Sequence, residues 1–207
     1  MSRKAILQLM KRVVVVGSGI AGLTVGLGCA KKGHKVTLVT KSDLSSSSTN
    51  WAQGGIAGVL DASDEDAIQQ HIKDTLAAGC NLNDPEVVEQ VIRNAPHCLA
   101  SLIEAGVSFD RDSHGEFAMA MEGGHSEKRI LHHKDRTGAE IEGVLLTRLQ
   151  ESGVEVHEES MAIDLILSRP KAFGEGVVGI WVLDAEGNIL ALAADAVILA
   201  SGGFGHI

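Results

Sequence analysis

Val13-Val14-Val15-Val16 runs straight into Gly17-Ser18-Gly19-Ile20-Ala21-Gly22, and this junction constrains the fold more than any other part of the chain. Four β-branched residues with no polar alternate describe a strand buried on both faces, as in parallel sheets. Ile20 to Lys32 reads as a helix ended by Gly33 in a left-handed cap, and Lys35 to Val39 as the next buried strand. Strand, helix and strand in so short a span make a βαβ unit with a right-handed crossover. In that context G-x-G-x-x-G has a mechanical meaning. Gly17 permits the tight turn, Gly19 lets a diphosphate approach the backbone, and Gly22 lets the helix pack close to the strand. Amides at the helix N-terminus then meet the phosphate charge. The sequence predicts a dinucleotide site here, against the alternative of a glycine turn that binds nothing.

The same region contains an uncharged run of 18 residues, Val13 to Ala30, between Lys11-Arg12 and Lys31-Lys32. Length alone would suit a membrane span. Glycines at 17, 19, 22, 26 and 28 and basic flanks on both sides argue against one, so no membrane association is expected. With 18 Lys and Arg against 27 Asp and Glu, the net charge of −9 gives no footprint for a phosphate backbone, and nucleic acid is not expected as a partner. Cys29, Cys80 and Cys98 have no CxxC or metal spacing, which fits a reducing cytoplasm.

Further along, Glu65 to Ala78 keeps apolar residues at helical spacing. Asp84-Pro85 is an N-cap followed by a first-turn proline, opening a helix to Ala105 with a kink expected at Pro96. Val107 to Met121 reads as irregular or strand-like, and Thr137 to Glu151 as a helix. Strands are expected at Val154–Val156, Ala162–Leu167 and Val177–Leu183. The last is joined to Ile189–Leu192 by a hairpin turn at Asp184–Asn188. Ala196 to Ala200 is a second fully apolar strand, ending in Ser201-Gly202-Gly203. The fold class is α/β. It is Rossmann-like, with a parallel sheet from strands at 13–16, 35–39, 154–156 and 196–200, flanking helices and a small antiparallel crossover sheet. A glycine pair so close to the last residue suggests a piece of a longer protein.

Two further stretches carry chemistry. The acid that usually binds ribose at the end of the second strand is replaced by Thr40 and Lys41. Lys41 can meet a ribose hydroxyl or a phosphate, or be a solvated strand end, and these residues leave the choice of dinucleotide open. Ser45-Ser46-Ser47-Ser48-Thr49-Asn50-Trp51-Ala52-Gln53-Gly54-Gly55 brings hydroxyls and glycine amides together in front of an apolar strand expected at Ile56-Ala57-Gly58-Val59-Leu60. Such a run can wrap a polar chain or ring, whereas a plain linker would lack Trp51. Glu122, before Gly123-Gly124, reads from the residues as either a solvated loop acid or a site acid. His125, Arg129, His132 and His133 are numerous, but no acid or cysteine completes a ligand set at metal spacing, so no metal is expected.

Taken together, G-S-G-I-A-G-L, V-T-K-S, S-T-N-W-A-Q-G-G-I-A and E-G-G-H-S-x-x-R-I-L-H resemble the L-aspartate oxidases, within the succinate dehydrogenase/fumarate reductase flavoprotein group. The likeness runs from Val13 to Gly203. Ala52-Gln53-Gly54-Gly55 with Asp135-x-Thr137-Gly138 marks the group, and Glu122 to Ser126 with Arg129 to His132 marks the oxidases.

The resemblance implies FAD, with its diphosphate on Ser18 to Ala21 and its adenosine ribose near Lys41. Ser48 to Gly55 would wrap the ribityl chain and flavin edge, and the backbone of Ala162 would meet adenine. Respiratory members link flavin covalently to a histidine at the position of Ser48, so FAD is expected to be non-covalent here. Glu122 would face the substrate ammonium, and Arg129 would pair with Asp135 to support the flavin loop. The implied reaction is oxidation of L-aspartate to iminoaspartate, the first step of de novo NAD biosynthesis. Electrons would pass to dioxygen or fumarate, and quinolinate synthase would receive the product. A soluble fumarate reductase or succinate dehydrogenase-like flavoprotein, or a non-catalytic FAD-binding module, are the alternatives. The whole chain, 1–207, would be one FAD-binding domain, with the capping and C-terminal helical domains and the substrate arginines and histidines beyond it. Alone it is expected to turn over no aspartate.

Overall fold

In a computed structural model, residues 10–80, 82–168 and 176–203 are described. The chain divides into two compact units, one made of 1–48 with 145–207 and the other of 49–144.

The first unit is built on a four-stranded parallel sheet. Its strands are β1 (Arg12–Val16), β2 (Lys35–Val39), β5 (Glu155–His157) and β9 (Ala196–Leu199), in the order β5-β2-β1-β9. Helix α1 (Ile20–Lys31) connects β1 to β2, and Gly33 beyond it takes a left-handed φ of 81°. The valine run is explained by two cores. Val13 and Val15 pack with Val36, Cys29 and Ala30 on the α1 side, whereas Val14 packs with Val39, Ile180, Val182 and Ala194 on the other. Successive side chains of a strand point to opposite faces, so only a strand covered on both can be apolar throughout. The second cover is a three-stranded antiparallel sheet of β6 (Met161–Leu167), β7 (Val177–Leu183) and β8 (Ile189–Ala193). The expected parallel and crossover sheets are therefore both present.

The second unit is mainly helical. α2 (Glu65–Ala78) is capped by the Asp64 side chain, and α3 (Pro85–Ala105) by Asp84, which accepts from Glu86 and Val87 N–H. Pro96 lies inside α3, which continues through it to Gly106 in a left-handed cap. Ile68 and Ile72 of α2 bury against Ile92 of α3 and Val59. Between 107 and 121 there are only isolated bridges, Arg111 to Phe117 and Ala120 to Ile130. Two short strands, β3 (Ile56–Ala57) and β4 (Ile130–Leu131), pair antiparallel. α4 (Thr137–Glu151) begins in this unit and ends in the first.

Candidate functional site: a nucleotide turn and a glycine loop

The Gly17–Gly22 turn lies at the carboxyl ends of β1, β2 and β9, where open α/β sheets bind ligands. Gly17 has φ 112° and donates its N–H to Val39 O at 2.8 Å. A Cβ there would stand 2.2 Å from Ala200 O, and one on Gly22 would stand 1.9 Å from Gly17 O. The second glycine of the motif, Gly19, is the N-cap of α1 and makes no side-chain capping bond. The first turn of α1, which includes Ile20 and the exposed Ala21, holds no acidic residue. An acid there would compete with a bound anion for the positive helix end. The turn thus has the shape and charge that a diphosphate requires.

Ser18 is buried, and its Oγ lies 3.1 Å from Thr40 Oγ1. Its side chain is therefore directed into the fold, which ties the turn to the end of β2. Thr40 N–H donates to His157 O at 2.9 Å, and Ser160 N–H donates to Thr40 O at 2.8 Å. These two bonds bring the end of β5 and the start of β6 to Thr40, next to Lys41. Lys41 is exposed, and Ala162, on β6, is half-buried against the Val14 core. Ser48 lies in an exposed turn.

In the other unit, the glycine loop rests on the start of α4. Ala52 N–H donates to Thr49 O at 3.1 Å, and Gly138 N–H donates to Ala52 O at 2.9 Å. A Cβ on Gly138 would meet Thr49 O at 1.8 Å, and one on Gly55 would meet Leu131 O at 2.4 Å. Trp51 is 79% exposed, Ala52, Gln53 and Gly54 are exposed, and Thr49 and Asn50 are half-buried. Glu122, 68 positions beyond Gly54 in the chain, comes to this loop. Its Oε1 is 3.9 Å from where a Gly54 Cβ would stand, and the residue is exposed.

Behind Glu122 is a polar cluster that the sequence did not reveal. Arg129 is 3% exposed and pairs with Asp74 of α2, its Nη1 donating to Oδ2 at 2.7 Å, with Glu127 at 3.6 Å from Nη2. The expected pairing of Arg129 with Asp135 is thus corrected, because Asp135 is exposed and the buried guanidinium is held by Asp74. That hydrogen bond, helped by Ser126 N–H, holds the Asp74 carboxyl well below the usual carboxylate range. His71, one helical turn before Asp74, is 5% exposed, and its buried Nδ1 has no hydrogen-bond partner. Burial and the nearby Arg129 charge push its pKa down from 6.5 to about 4. Among the described residues no group of three or more His, Cys, Asp or Glu is placed to hold a metal.

The His71 shift has a consequence for acid stability. Between pH 6.5 and about 4 the unfolded chain takes up a proton that the folded chain refuses. Stability is therefore complete above 6.5 and falls as pH drops, by up to about 1.4 kcal/mol per pH unit. Below that window Asp74, whose pKa is lowered from 3.8, extends the loss. Urea unfolding at pH 7, 5.5 and 4.5 should show this slope, and His71→Asn should flatten it; an equal slope in both proteins would contradict the assignment.

The FAD binding domain family matches residues 12–207. The chain is 37% identical to L-aspartate oxidase of Streptomyces coelicolor over 94% of its length, and 41% identical to that of Yersinia pestis over 92%. It covers 33% and 37% of those proteins, and so spans about a third of their length. Among solved structures, Sdh1 of Mycobacterium smegmatis superposes with a TM-score of 0.84 at 32% identity, covering 95% of this chain and 34% of that one. FrdA of E. coli quinol fumarate reductase, in a point-mutant form, gives 0.83 at 26% identity, covering 94% and 33%. The glycine turn, the two-sided parallel sheet and these matches define a flavoprotein nucleotide-binding domain. The chain belongs to the FAD binding domain family of the succinate dehydrogenase/fumarate reductase flavoproteins, and it is L-aspartate oxidase-like within it. Among the described residues no helix is long and apolar enough to cross a membrane.

Proposed function

We propose that the intact protein is an FAD-dependent oxidase that converts L-aspartate to iminoaspartate. The observation that carries this reading is the Glu122 carboxylate beside Gly54 in the Ala52–Gly55 loop. Identity of 37–41% to L-aspartate oxidases supports it. FAD would be held non-covalently. Gly17, Ser18, Gly19, Ile20, Ala21 and Gly22 would take the diphosphate, and Lys41 and Ala162 the adenosine side. Ser48, Thr49, Asn50, Trp51, Ala52, Gln53, Gly54 and Gly55 would contact the ribityl chain and flavin. Serine at 48 has no imidazole to bond the flavin, which supports the non-covalent form.

When bound, FAD supplies the acceptor for the two electrons and the hydrogen lost from the substrate Cα–N unit. The residues of this chain do the rest. Glu122 accepts charge-assisted hydrogen bonds from the substrate ammonium, which succinate lacks. Gly54 keeps the wall beside that carboxylate free of side-chain bulk. Aspartate gives up two electrons and two protons, and dioxygen reduced to hydrogen peroxide, or fumarate reduced to succinate, takes both. The unstable imine would pass to quinolinate synthase in a cytoplasmic route to NAD.

A second reading, a succinate- or fumarate-active enzyme, is favoured by the superposition on Sdh1 and on fumarate reductase. Initial rates of the intact protein with L-aspartate and with succinate separate the two. The oxidase reading expects aspartate turnover, and a preference over succinate that drops at least tenfold in Glu122→Gln. Turnover of succinate alone would overturn it.

A further inference from the structure

Helix α2 has two working faces. Ile68, Ile72 and Leu76 face the core shared with α3, and His71, Asp74 and Ala78, at i, i+3 and i+7, form another stripe. That stripe meets the Gly124–Arg129 segment residue by residue. The His71 and His125 rings are 5.5 Å apart, and a Cβ on Gly124 would lie 3.6 Å from that of Ala78. Between them Asp74 takes four donors. Oδ2 accepts from Ser126 N–H at 2.9 Å, Ser126 Oγ at 2.8 Å and Arg129 Nη1 at 2.7 Å, and Oδ1 accepts from Gln70 Nε2 at 2.8 Å.

Arg129 extends the clamp. Its Nη1 lies 3.1 Å from His125 Nδ1, and because a guanidinium can only donate, that nitrogen is the acceptor. Its own backbone is fixed just before β4, donating to Ala120 O at 3.2 Å and accepting from Gly58 N–H at 2.9 Å. His125 N–H in turn donates to Glu122 O at 3.2 Å, across a turn that Gly124 makes at φ 85°. Glu122 is itself exposed, so the placement of its carboxylate depends on a backbone held from 125 and 126.

We propose that Asp74 is the positioning residue for Glu122. Through Ser126 and Arg129 it fixes the 122–126 turn that presents Glu122 to the substrate ammonium, and so it governs the choice of an amino acid over a plain dicarboxylate. This rests on the reading of Glu122 given above, but it assigns the selectivity to a residue that touches no substrate.

The test compares Asp74→Asn, Ser126→Ala and Glu122→Gln in the intact protein by amide hydrogen exchange and by kinetics with aspartate and succinate. In Asp74→Asn the amides of His125 and Ser126 should exchange at least tenfold faster, while those of Ile92 and Leu99 in α3 stay protected. The KM for aspartate should rise at least tenfold, with a smaller fall in kcat and little change for succinate. Asp74→Glu should restore part of the loss. If Asp74→Asn does not fold, Ser126→Ala, which removes one bond at an exposed side chain, should show the same pattern in weaker form. Faster exchange at 125 and 126 with unchanged aspartate preference would overturn the proposal, and so would unchanged exchange. An unchanged preference in Glu122→Gln would instead remove the substrate reading, a result separate from the loop measurement.

Discussion

Gly22→Ala should destabilise the protein by about 2 kcal/mol or more and weaken FAD binding at least tenfold. The new methyl would stand 1.9 Å from Gly17 O. That carbonyl cannot retreat easily, because Gly17 is held by its N–H bond to Val39 O and is hemmed in by Ala200. Alanine is a better helix former than glycine by about 1 kcal/mol, so the two effects oppose each other. The clash wins, since overpacking a close contact typically costs about 1–3 kcal/mol and here the neighbour is backbone. Gly28→Ala in the same helix is the control. Nothing lies within 4 Å of its Cβ, so it should be neutral or stabilising with unchanged FAD affinity. Urea unfolding and a flavin titration on both variants check the pair, and equal behaviour would contradict close helix–turn packing as the reason for Gly22.

Gly138→Ala should act on the other unit with an effect of similar size. Its Cβ would fall 1.8 Å from Thr49 O and 2.8 Å from Ala52 Cβ, in the turn that begins the 49–55 loop. Accommodating it means breaking the Gly138 N–H bond to Ala52 O or moving residues 49–52. FAD affinity should fall at least tenfold with a stability loss of about 1–3 kcal/mol. Gly143→Ala, later in α4 with nothing within 4 Å, should gain up to about 1 kcal/mol. A Gly138→Ala protein that keeps wild-type flavin affinity would show that this contact does not shape the loop.

The contrast between these two glycines shows what the sequence reveals and what it hides. Gly22 was legible because its partners are local: a valine strand, a glycine turn and a helix follow one another in a single βαβ unit. Asp84-Pro85, the hairpin at 184–188 and the two-sided Val13–Val16 strand were legible for the same reason, since each is decided by its own neighbours. The β3–β4 pairing was not, because two-residue strands carry no periodicity. Nor was the Asp74–Arg129 pair, whose members are far apart in sequence, and the nearer Asp135 drew the expectation away. One signal was available. Asp74 is an acid near the C-terminal end of α2, where the helix dipole disfavours negative charge, and no basic residue occupies the last turn to offset it. A carboxylate in that position invites a search for a distant cation. The Ser18–Thr40 contact was hidden in a similar way, because a phosphate-binding role accounts for Ser18 without its side chain.

Direct evidence for the nucleotide turn would come from titrating the protein with FAD while recording backbone amide resonances, followed by acid precipitation of the complex. Saturable binding of one FAD per chain is expected, with the largest shifts at Ser18, Gly19, Ile20 and Ala21 and all of the flavin released into the supernatant. Flavin binding that leaves those four amides unmoved, or flavin that stays with the precipitated protein, would contradict a non-covalent dinucleotide held at the start of α1.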